Sequence, residues 1–466
     1  MLTTPSSGSN NPSPALTPVA TNPPGSPAMF SDKKFWRPLW IPDDQEDRCL
    51  NCSNQFNTLL RRHHCRQCGN IFCNNCSSKR QSLPQLHYDK PVRICNRCSD
   101  LANFSKLATS DDVAQRVEAS KGFCNLTLDA LGRKLIVNSF LGVMFSLLDN
   151  RLDTSVYRHV TRAVANLAEN EINRTYIIES ELFDALVHYL LTPHDDDNET
   201  RLNVCICFEY LACEENILVK TQLAEQCLPI LMELSRSYNG QLKHSSSIIL
   251  LNLTKNPITR DQVVKAGVTQ SFIAMALCDE VSLQAAATQA ISILSLNPKN
   301  QRKIVEGGAL PPLILMINSP VEKIILYTVA SLASLSENSD NQLAIGQVGG
   351  VKPMINILHY SNDDKIPLHA ATTLYHLSLC PSNHALLMQQ DLFDILSKVI
   401  IVNYANTSSE LLFLSIKILS NLSNVKEGKQ VIRKNQALMN VLRIMVHTTN
   451  KLQPFSLIIF NNCESN

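Results

Sequence analysis

Eight cysteines in four Cys-x-x-Cys pairs, between Cys49 and Cys98, are the residues of this 466-residue chain best suited to chemistry. Thiolates at this spacing chelate Zn²⁺ from a tight turn, and four of them complete a closed tetrahedral site. The pairs therefore predict two structural zinc ions, with no open position at which water could be activated. The spacing leaves the ligand pairing open, because sequential pairs and an interleaved cross-brace both give four-coordination.

A run of cationic and titratable side chains lies between these ligands, at Arg61, Arg62, His63, His64 and Arg66. The guanidinium fork suits phosphate, so the run indicates an anionic partner. Residues 33–98 hold 12 Lys/Arg against 5 Asp/Glu, whereas residues 101–466 hold 30 against 34. The basic character is therefore local, and the alternatives to a specific anion site are a solvated basic patch or nonspecific nucleic-acid contact.

The chain around these residues divides by composition. Residues 1–32 are rich in Ser, Thr, Asn, Pro and Gly, which predicts a disordered tail. Residues 33–100 form a module so small that it needs zinc as a staple. Residues 101–111 are predicted as a linker, and residues 112–466 as helical repeats. We see no secretory signal and no membrane-spanning stretch, and the other eight cysteines suit a reducing compartment.

Each predicted repeat contains an apolar helix that ends in a small-x-Asn-Leu-like element, followed by a polar turn. Successive anchor leucines lie 41 to 45 residues apart, with glycine corners between several of them. A helical unit of this period cannot bury its apolar face alone, so neighbouring units must stack. The anchors are Leu126, Leu167, Leu211, Leu253, Leu294, Leu335, Leu377 and Leu422. A ninth unit at the end of the sequence looks cut short, and a truncated chain is one reading of it.

The cysteine module resembles the FYVE zinc fingers. Trp40-Ile41-Pro42-Asp43 matches the family's WxxD, residues 61–69 match its R(R/K)HHCRxCG, and Arg93-Ile94-Cys95 matches its RVC with Ile for Val. FYVE folds are cross-braced. The resemblance therefore implies one zinc ion held by Cys49, Cys52, Cys73 and Cys76, and a second held by Cys65, Cys68, Cys95 and Cys98.

The same resemblance implies a ligand, phosphatidylinositol 3-phosphate. Arg62, Arg66 and Arg93 would then hold the 3-phosphate and Arg61 the 1-phosphate. The resemblance further gives the inositol hydroxyls to Asp43 and His64, and the pocket lining to His63. A carboxylate accepts bonds from hydroxyls and repels additional phosphates, so Asp43 would select against more highly phosphorylated lipids. The location implied is cytoplasmic, peripheral on early endosome-type membranes.

A short loop precedes the arginines. In FYVE domains this loop enters the bilayer, which implies membrane insertion by Thr58, Leu59 and Leu60, while Phe56 reads as module core. Burial of one leucine contributes roughly 1.5–3 kcal/mol. Because such an anchor is weak, stable residence on a membrane is expected to need a second contact.

The repeats resemble armadillo repeats, with HEAT repeats as the close alternative. In armadillo solenoids an Asn before the anchor leucine binds the backbone of an extended peptide. That implies a possible peptide groove at Asn125, Asn166, Asn252 and Asn421. At the other anchors this place holds Tyr210, Ile293, Ser334 and His376, so the row is interrupted.

These observations predict a mainly α protein: a small cross-braced two-zinc α+β finger followed by an armadillo-like α-solenoid. The predicted function is a non-enzymatic peripheral membrane adaptor that scaffolds an unidentified protein partner, with no nucleic acid expected. The alternative is an E3 ubiquitin ligase in which the solenoid selects substrates. RING-type ligases usually carry a His ligand, and all eight positions here are Cys, which favours the adaptor. Oligomeric state is not indicated by the sequence.

Overall fold

The computed structural model describes most of the chain beyond the N-terminal tail. The tail predicted for residues 1–32 lies outside the described residues. These residues form two compact units, the first ending at Cys95 and the second beginning at Asn96. The described residues are 38, 40–148, 153–192, 197–213, 216–358, 364–406, 408–448 and 450–464.

The first unit is built on two small antiparallel hairpins. Its strands are β1 (His63–His64), β2 (Ile71–Phe72), β3 (Lys79–Leu83) and β4 (Tyr88–Ile94). β1 pairs with β2, and β3 pairs with β4 with an irregularity between Gln81 and Leu83. Gly69 has φ 74° in the turn that leads into β2, a backbone conformation that favours glycine. Strands this short cannot stabilise a fold alone, so the cysteine clusters must supply the rest.

The second unit is entirely helical in the residues described. Its helices are α1 (Asn96–Ala108), α2 (Val113–Leu126), α3 (Ala130–Ser139), α4 (Leu141–Leu147), α5 (Thr154–Ala168), α6 (Glu171–Ile178), α7 (Glu181–Leu191), α8 (Asn198–Cys213), α9 (Ile217–Gln222), α10 (Leu228–Leu234), α11 (Gly240–Lys255), α12 (Pro257–Lys265), α13 (Thr269–Ala276), α14 (Val281–Ser295), α15 (Pro298–Glu306), α16 (Leu310–Met316), α17 (Glu322–Ser336), α18 (Ser339–Gln347), α19 (Val351–Ile357), α20 (Lys365–Ser378), α21 (His384–Leu387), α22 (Gln390–Asn403), α23 (Glu410–Leu422), α24 (Lys426–Lys434), α25 (Gln436–Val446) and α26 (Gln453–Glu464). A π-helical turn, Leu223–Cys227, joins α9 to α10.

Every third helix of this series from α2 to α23 carries one of the predicted anchors. We call α2, α5, α8, α11, α14, α17, α20, α23 and α26 the third helices, and each packs against the next. All eight anchor leucines are buried in them. Cys463, also buried, takes the corresponding place on α26, 41 residues after Leu422. The predicted armadillo-like α-solenoid is confirmed by this repeated three-helix packing.

A repeated hydrogen bond closes the end of most third helices. The residue six positions after the anchor leucine donates its side-chain N–H or O–H to that leucine's carbonyl. The pairs are Asn173 to Leu167 at 3.1 Å, Thr259 to Leu253 at 2.6 Å, Asn300 to Leu294 at 3.2 Å, Asn341 to Leu335 at 2.9 Å and Asn383 to Leu377 at 3.4 Å. The last carbonyls of a helix have no partner within it, so this bond satisfies one of them.

Glycine replaces the donor in the first and eighth repeats. A Cβ on Gly132 would lie 1.9 Å from the Leu126 carbonyl oxygen, and one on Gly428 would lie 2.1 Å from that of Leu422. The backbone therefore approaches the helix end so closely that only glycine fits. Seven of the eight anchored repeats thus have either a side-chain donor or a close backbone approach at this position, and the third repeat has Ile217 there.

The predicted linker, residues 101–111, is helical as far as Ala108 because it belongs to α1. Leu101 is buried, and the ring of Phe104 lies 6.1 Å from that of Phe123 on α2. The segment is helical because these apolar side chains pack against the solenoid, and its composition alone does not indicate that packing. No single helix among the described residues is long and apolar enough to cross a bilayer. α3 and α4 together would pass by length and composition, but they are bent by 82°.

Candidate metal centres and anion site

The eight cysteines of the Cys-x-x-Cys pairs form two clusters of four. The first holds Cys49, Cys52, Cys73 and Cys76, and the second holds Cys65, Cys68, Cys95 and Cys98, with all Sγ atoms of a cluster within 4.8 Å of one another. A zinc tetrahedron with bonds of about 2.3 Å has edges of about 3.8 Å. The Cys52 and Cys73 Sγ atoms are 3.8 Å apart, which fits such an edge. The cross-braced pairing is confirmed.

The surroundings of the sulfur atoms also fit a cation. Backbone N–H groups point at the ligands, from Cys73 to Cys49 Sγ at 3.3 Å and from Cys95 to Cys65 Sγ at 3.1 Å. Such bonds orient metal ligands and stabilise thiolate. Burial raises the pKa of Cys76 to about 12, so a positive ion is needed to keep that sulfur deprotonated. The donor set and its packing fit two structural Zn²⁺ ions.

The β1–β2 hairpin carries two residues of the cationic run. His63 pairs with Phe72 and His64 with Ile71 across β1 and β2. The N–H of Arg66 donates to the carbonyl oxygen of Arg93 at 2.9 Å, although the two residues are far apart in sequence. β4 therefore brings Arg93, the third predicted phosphate ligand, beside Arg66.

Backbone carbonyl groups hold the arginines in place. Arg62 Nε donates to the Glu46 carbonyl at 3.0 Å, and Arg66 donates to the His64 carbonyl at 3.0 Å. Arg93 donates to the Ser77 carbonyl at 2.8 Å. Each bond uses a single guanidinium nitrogen, so each residue keeps further donors for a ligand.

The positive charge of the site is uncompensated. Within the part of the chain that the structure describes, neither Arg61 nor Arg62, Arg66 or Arg93 forms an ion pair with a carboxylate. His63 is affected by the same field: burial lowers its pKa, and the nearby charges of Arg93 and Arg61 lower it further. Cations held together by neutral acceptors are suited to an anionic ligand.

Asp43 and His64 form the other side of the site. Asp43 Oδ1 lies 3.7 Å from His64 Nε2, and the carboxylate is largely exposed, so it remains accessible to a ligand. His64 Nε2 also lies 2.7 Å from the Ile41 carbonyl oxygen. The structure thus brings Asp43 to His64 of the basic run from a separate segment, in agreement with the place that the FYVE resemblance implies for it.

The loop before the arginines presents a leucine to solvent. Leu59 is 94% exposed, whereas Phe56 is buried and lies under the guanidinium of Arg62 at 5.1 Å. The Asn57 side chain accepts the N–H groups of Leu59 and Leu60 at 2.9 and 2.8 Å, which closes the turn. Thr58 is exposed beside Leu59, and Leu60 is half-buried. The loop tip is therefore a fixed turn with an apolar side chain at its end.

Two residues of the site were missed by the sequence analysis. Trp40 stacks on His64, with ring centroids 4.1 Å apart and an interplanar angle of 16°, and the Arg66 guanidinium lies 4.9 Å from the Trp40 ring. Arg80 pairs with Arg93 across β3 and β4. Like charges opposite each other destabilise a hairpin, so this pair adds to the demand for an anion. The WxxD spacing marks Trp40; no comparable signal marks Arg80.

Comparison with known families agrees with this geometry. A family model described as FYVE zinc finger matches residues 39–103. Residues 39–103 are a FYVE zinc finger. The matched range contains both cysteine clusters, the arginines and Asp43.

Individual relatives match over a short part of this chain. A lateral signaling target protein 2 homolog of Brugia malayi is 52% identical over 59 residues, which are 13% of this chain and 10% of that protein. RUN and FYVE domain-containing protein 1 of Homo sapiens is 48% identical over 62 residues, 13% of this chain and 8% of that protein. The chain thus spans about a tenth of the length of these curated relatives or less.

One solved structure resembles this chain in fold. A crystal structure of an engineered protein aligns with 79% of this chain and 99% of its own, at 18% identity and a TM-score of 0.54. A designed armadillo repeat protein aligns with 51% of this chain at 18% identity and a TM-score of 0.42.

The asparagines predicted as a peptide groove lie on the third helices, and three of them bind the preceding repeat. Each of these donates its side-chain N–H to a hydroxyl or thiol group near the end of the previous third helix, and Asn462 on α26 does the same. Asn125, on α2, is exposed. The pairs are Asn166 to Thr127 at 2.9 Å, Asn252 to Cys213 at 3.3 Å, Asn421 to Ser378 at 2.8 Å and Asn462 to Ser423 at 2.9 Å. Their role towards a peptide stays a prediction.

Proposed function

We propose that this chain is a non-enzymatic peripheral membrane adaptor. Its FYVE finger binds phosphatidylinositol 3-phosphate on early endosome-type membranes at their cytoplasmic face. Its solenoid carries a protein partner on the third helices. A lipid-binding adaptor role is what the FYVE finger and the FYVE-containing relatives support.

One observation carries the lipid proposal. None of the four predicted arginines forms an ion pair with a carboxylate among the described residues, and backbone carbonyl groups hold three of them so that spare donors remain. Arg62, Arg66 and Arg93 bind the 3-phosphate, and Arg61 binds the 1-phosphate. An inositol phosphate supplies the acceptors that this arrangement lacks.

The neighbouring groups supply selectivity and orientation. Asp43 and His64 bind inositol hydroxyls, with His63 lining the pocket. Because a phosphate placed against the Asp43 carboxylate would be repelled, the site rejects lipids with additional phosphates. Thr58, Leu59 and Leu60 enter the bilayer from the turn that Asn57 closes.

Liposome flotation of the full chain tests this proposal. Wild type should float with vesicles that contain phosphatidylinositol 3-phosphate and stay behind with phosphatidylinositol alone. Arg66→Ala should lose affinity by about tenfold or more, since a charge-assisted hydrogen bond contributes roughly 1.5–3 kcal/mol. Arg48→Ala is the matched control, because Arg48 is an exposed arginine of the same finger that is not among the predicted lipid-binding residues. Equal flotation of Arg66→Ala and wild type would refute the proposal.

A further inference from the structure

Two lysines and three aromatic rings come together at the last three third helices, in a group we call the Lys417 cluster. Its members are Tyr375 on α20, Phe413 and Lys417 on α23, Lys451 in the turn before α26, and Phe455 on α26. Lys417 Nζ lies 3.8 Å from the ring centroid of Tyr375, 5.1 Å from that of Phe413 and 5.8 Å from that of Phe455. Lys451 Nζ lies 5.1 Å from the Phe413 centroid. Phe413 and Phe455 pack edge to face at 5.7 Å. Two ammonium groups therefore share one aromatic surface.

The repeat register places this cluster on the face predicted for ligands. Phe413, Lys417 and Asn421 follow one another at i+4 on α23, so they lie on one side of that helix. Phe455, Ile458 and Asn462 follow at i+3 and i+7 on α26. Ile458 is 43% exposed, which extends the apolar surface beside the lysines.

The charge of the cluster is uncompensated. Across the described part of the solenoid, neither Lys417 nor Lys451 forms an ion pair with a carboxylate. Glu464, on α26, lies 3.9 Å from the guanidinium of Arg443 instead. Lys417 also contributes to the lowered pKa of His376, after burial, which is the largest cause. An ammonium group offers three donors, and the rings satisfy none of them as an acceptor oxygen would.

We infer that the Lys417 cluster binds an acidic peptide segment of a partner protein, with a carboxylate against each lysine and apolar side chains on Phe413, Phe455 and Ile458. This inference names the partner chemistry for the scaffolding role and rests on the proposed function to that extent. Charge complementarity selects an acidic segment over a basic one. The aromatic rings favour a peptide with apolar residues between its acids.

Fluorescence anisotropy in solution, without vesicles, tests the inference on the full chain. The probes are labelled short peptide mixtures, one degenerate in Asp, Glu, Leu and Phe and one degenerate in Lys, Arg, Leu and Phe. The acidic mixture should bind wild type, more weakly as salt rises above about 0.15 M. Lys417→Glu with Lys451→Glu should weaken that binding by about tenfold or more. Lys417→Arg with Lys451→Arg should retain it.

Lys323→Glu is the matched control. Lys323 is exposed on another third helix, α17, and its Nζ lies 5.8 Å from the Tyr327 ring centroid. The variant therefore changes a lysine in a similar setting outside the Lys417 cluster. It should bind the acidic mixture as wild type does. Circular dichroism of each variant checks that the solenoid is folded. Arg66→Ala should also bind the peptide normally, which separates failure here from failure of the lipid proposal.

Three results would overturn the inference. The first is absence of binding to the acidic mixture, or stronger binding of the basic mixture. The second is unchanged binding by the folded Glu double variant. The third is that a single-stranded RNA or a vesicle with anionic lipid, but without phosphatidylinositol 3-phosphate, binds wild type more tightly than the acidic mixture does and loses that binding in the double variant.

Discussion

The FYVE finger and the solenoid use polar side chains in opposite ways. In the finger, Arg62, Arg66 and Arg93 bond to backbone carbonyls with one nitrogen each, and none of the three forms an ion pair among the described residues. In the solenoid, residues such as Asn341 and Asn421 bond to carbonyl or hydroxyl groups of the fold itself. The finger has few elements and needs metal to hold them, whereas the solenoid holds itself by repetition.

This difference shows where function can be read from a repeated sequence. A polar residue that recurs at one repeat position is accounted for by the fold, because each copy meets the same carbonyl or hydroxyl. A polar residue at a position that varies between repeats, such as Lys417, has no such partner, since the places five residues before the anchors hold residues as different as Lys121, Ile206 and Ala330. Departures from the repeat are therefore the better indicators of a binding surface in the solenoid.

Metal removal should separate the two regions most strongly. Structural zinc contributes about 10–16 kcal/mol to the folding of small zinc domains. A strong chelator should therefore unfold the finger and leave the solenoid helical. Limited proteolysis should cut between Cys49 and Cys95 after chelation, while circular dichroism at the helical band changes little. A finger that still resists protease after demonstrated zinc loss, or a collapse of the helical signal, would contradict the comparison.

Shortening the loop leucine should separate binding from stability. Leu59→Ala should weaken binding to phosphatidylinositol 3-phosphate vesicles by about 10- to 100-fold, because roughly 1.5–3 kcal/mol of burial in the bilayer is lost. The side chain is 94% exposed, so the melting temperature should not change. Flotation measures the first effect and thermal unfolding the second. Leu59→Met is the control and should float as wild type; a melting temperature lowered by Leu59→Ala would show that Leu59 is core.

Removing the side chain that donates to an anchor carbonyl should lower stability and leave vesicle binding unchanged. Asn341→Ala leaves the buried Leu335 carbonyl without its partner, which costs about 1–3 kcal/mol. Denaturant unfolding should show this loss, while vesicle binding stays unchanged. Asn125→Ala is the matched control, since Asn125 is exposed and its loss should cost little. Equal stability of the two variants would mean that the repeated bond is not what closes the third helices.

A smaller effect is expected from His376, which sits beside the Lys417 cluster. Burial lowers its pKa, and its Nδ1 lies 2.9 Å from Ser336 Oγ. The folded state favours neutral imidazole. Its contribution to stability is therefore complete above the ordinary pKa of about 6.5 and is lost as pH falls through the lowered folded pKa. His376→Gln should flatten the fall in the free energy of unfolding below that pH. Parallel pH profiles for the variant and wild type would assign the fall to other groups.

The sequence predicted the metal ligands and the repeats well because both depend on local spacing. Cys-x-x-Cys pairs chelate from one turn, and anchor leucines mark one helix per unit. The cross-braced pairing needed the family resemblance, since spacing also allowed sequential pairs. The helix over the first half of the predicted linker was missed because Leu101 and Phe104 acquire their partners only in the folded solenoid.

The finer parts of both sites depend on contacts between distant residues. Trp40 lies against His64 because the next residue, Ile41, is bonded to the same part of the finger. The Ile41 N–H donates to the Gly69 carbonyl at 3.2 Å, and the Ile41 carbonyl lies 2.7 Å from His64 Nε2. In the Lys417 cluster, Tyr375 and Phe455 lie on third helices on either side of α23. The packing of successive repeats brings these two residues to Lys417, and no local sequence motif predicts that contact.

The most direct test of this account measures both kinds of binding on the same two proteins. Arg66→Ala and the Lys417→Glu, Lys451→Glu double variant are each assayed for flotation with phosphatidylinositol 3-phosphate vesicles and for anisotropy with the acidic peptide mixture. The account predicts that Arg66→Ala loses vesicles and keeps peptide, and that the double variant loses peptide and keeps vesicles. Loss of both kinds of binding in both folded variants, or loss of neither, would contradict it.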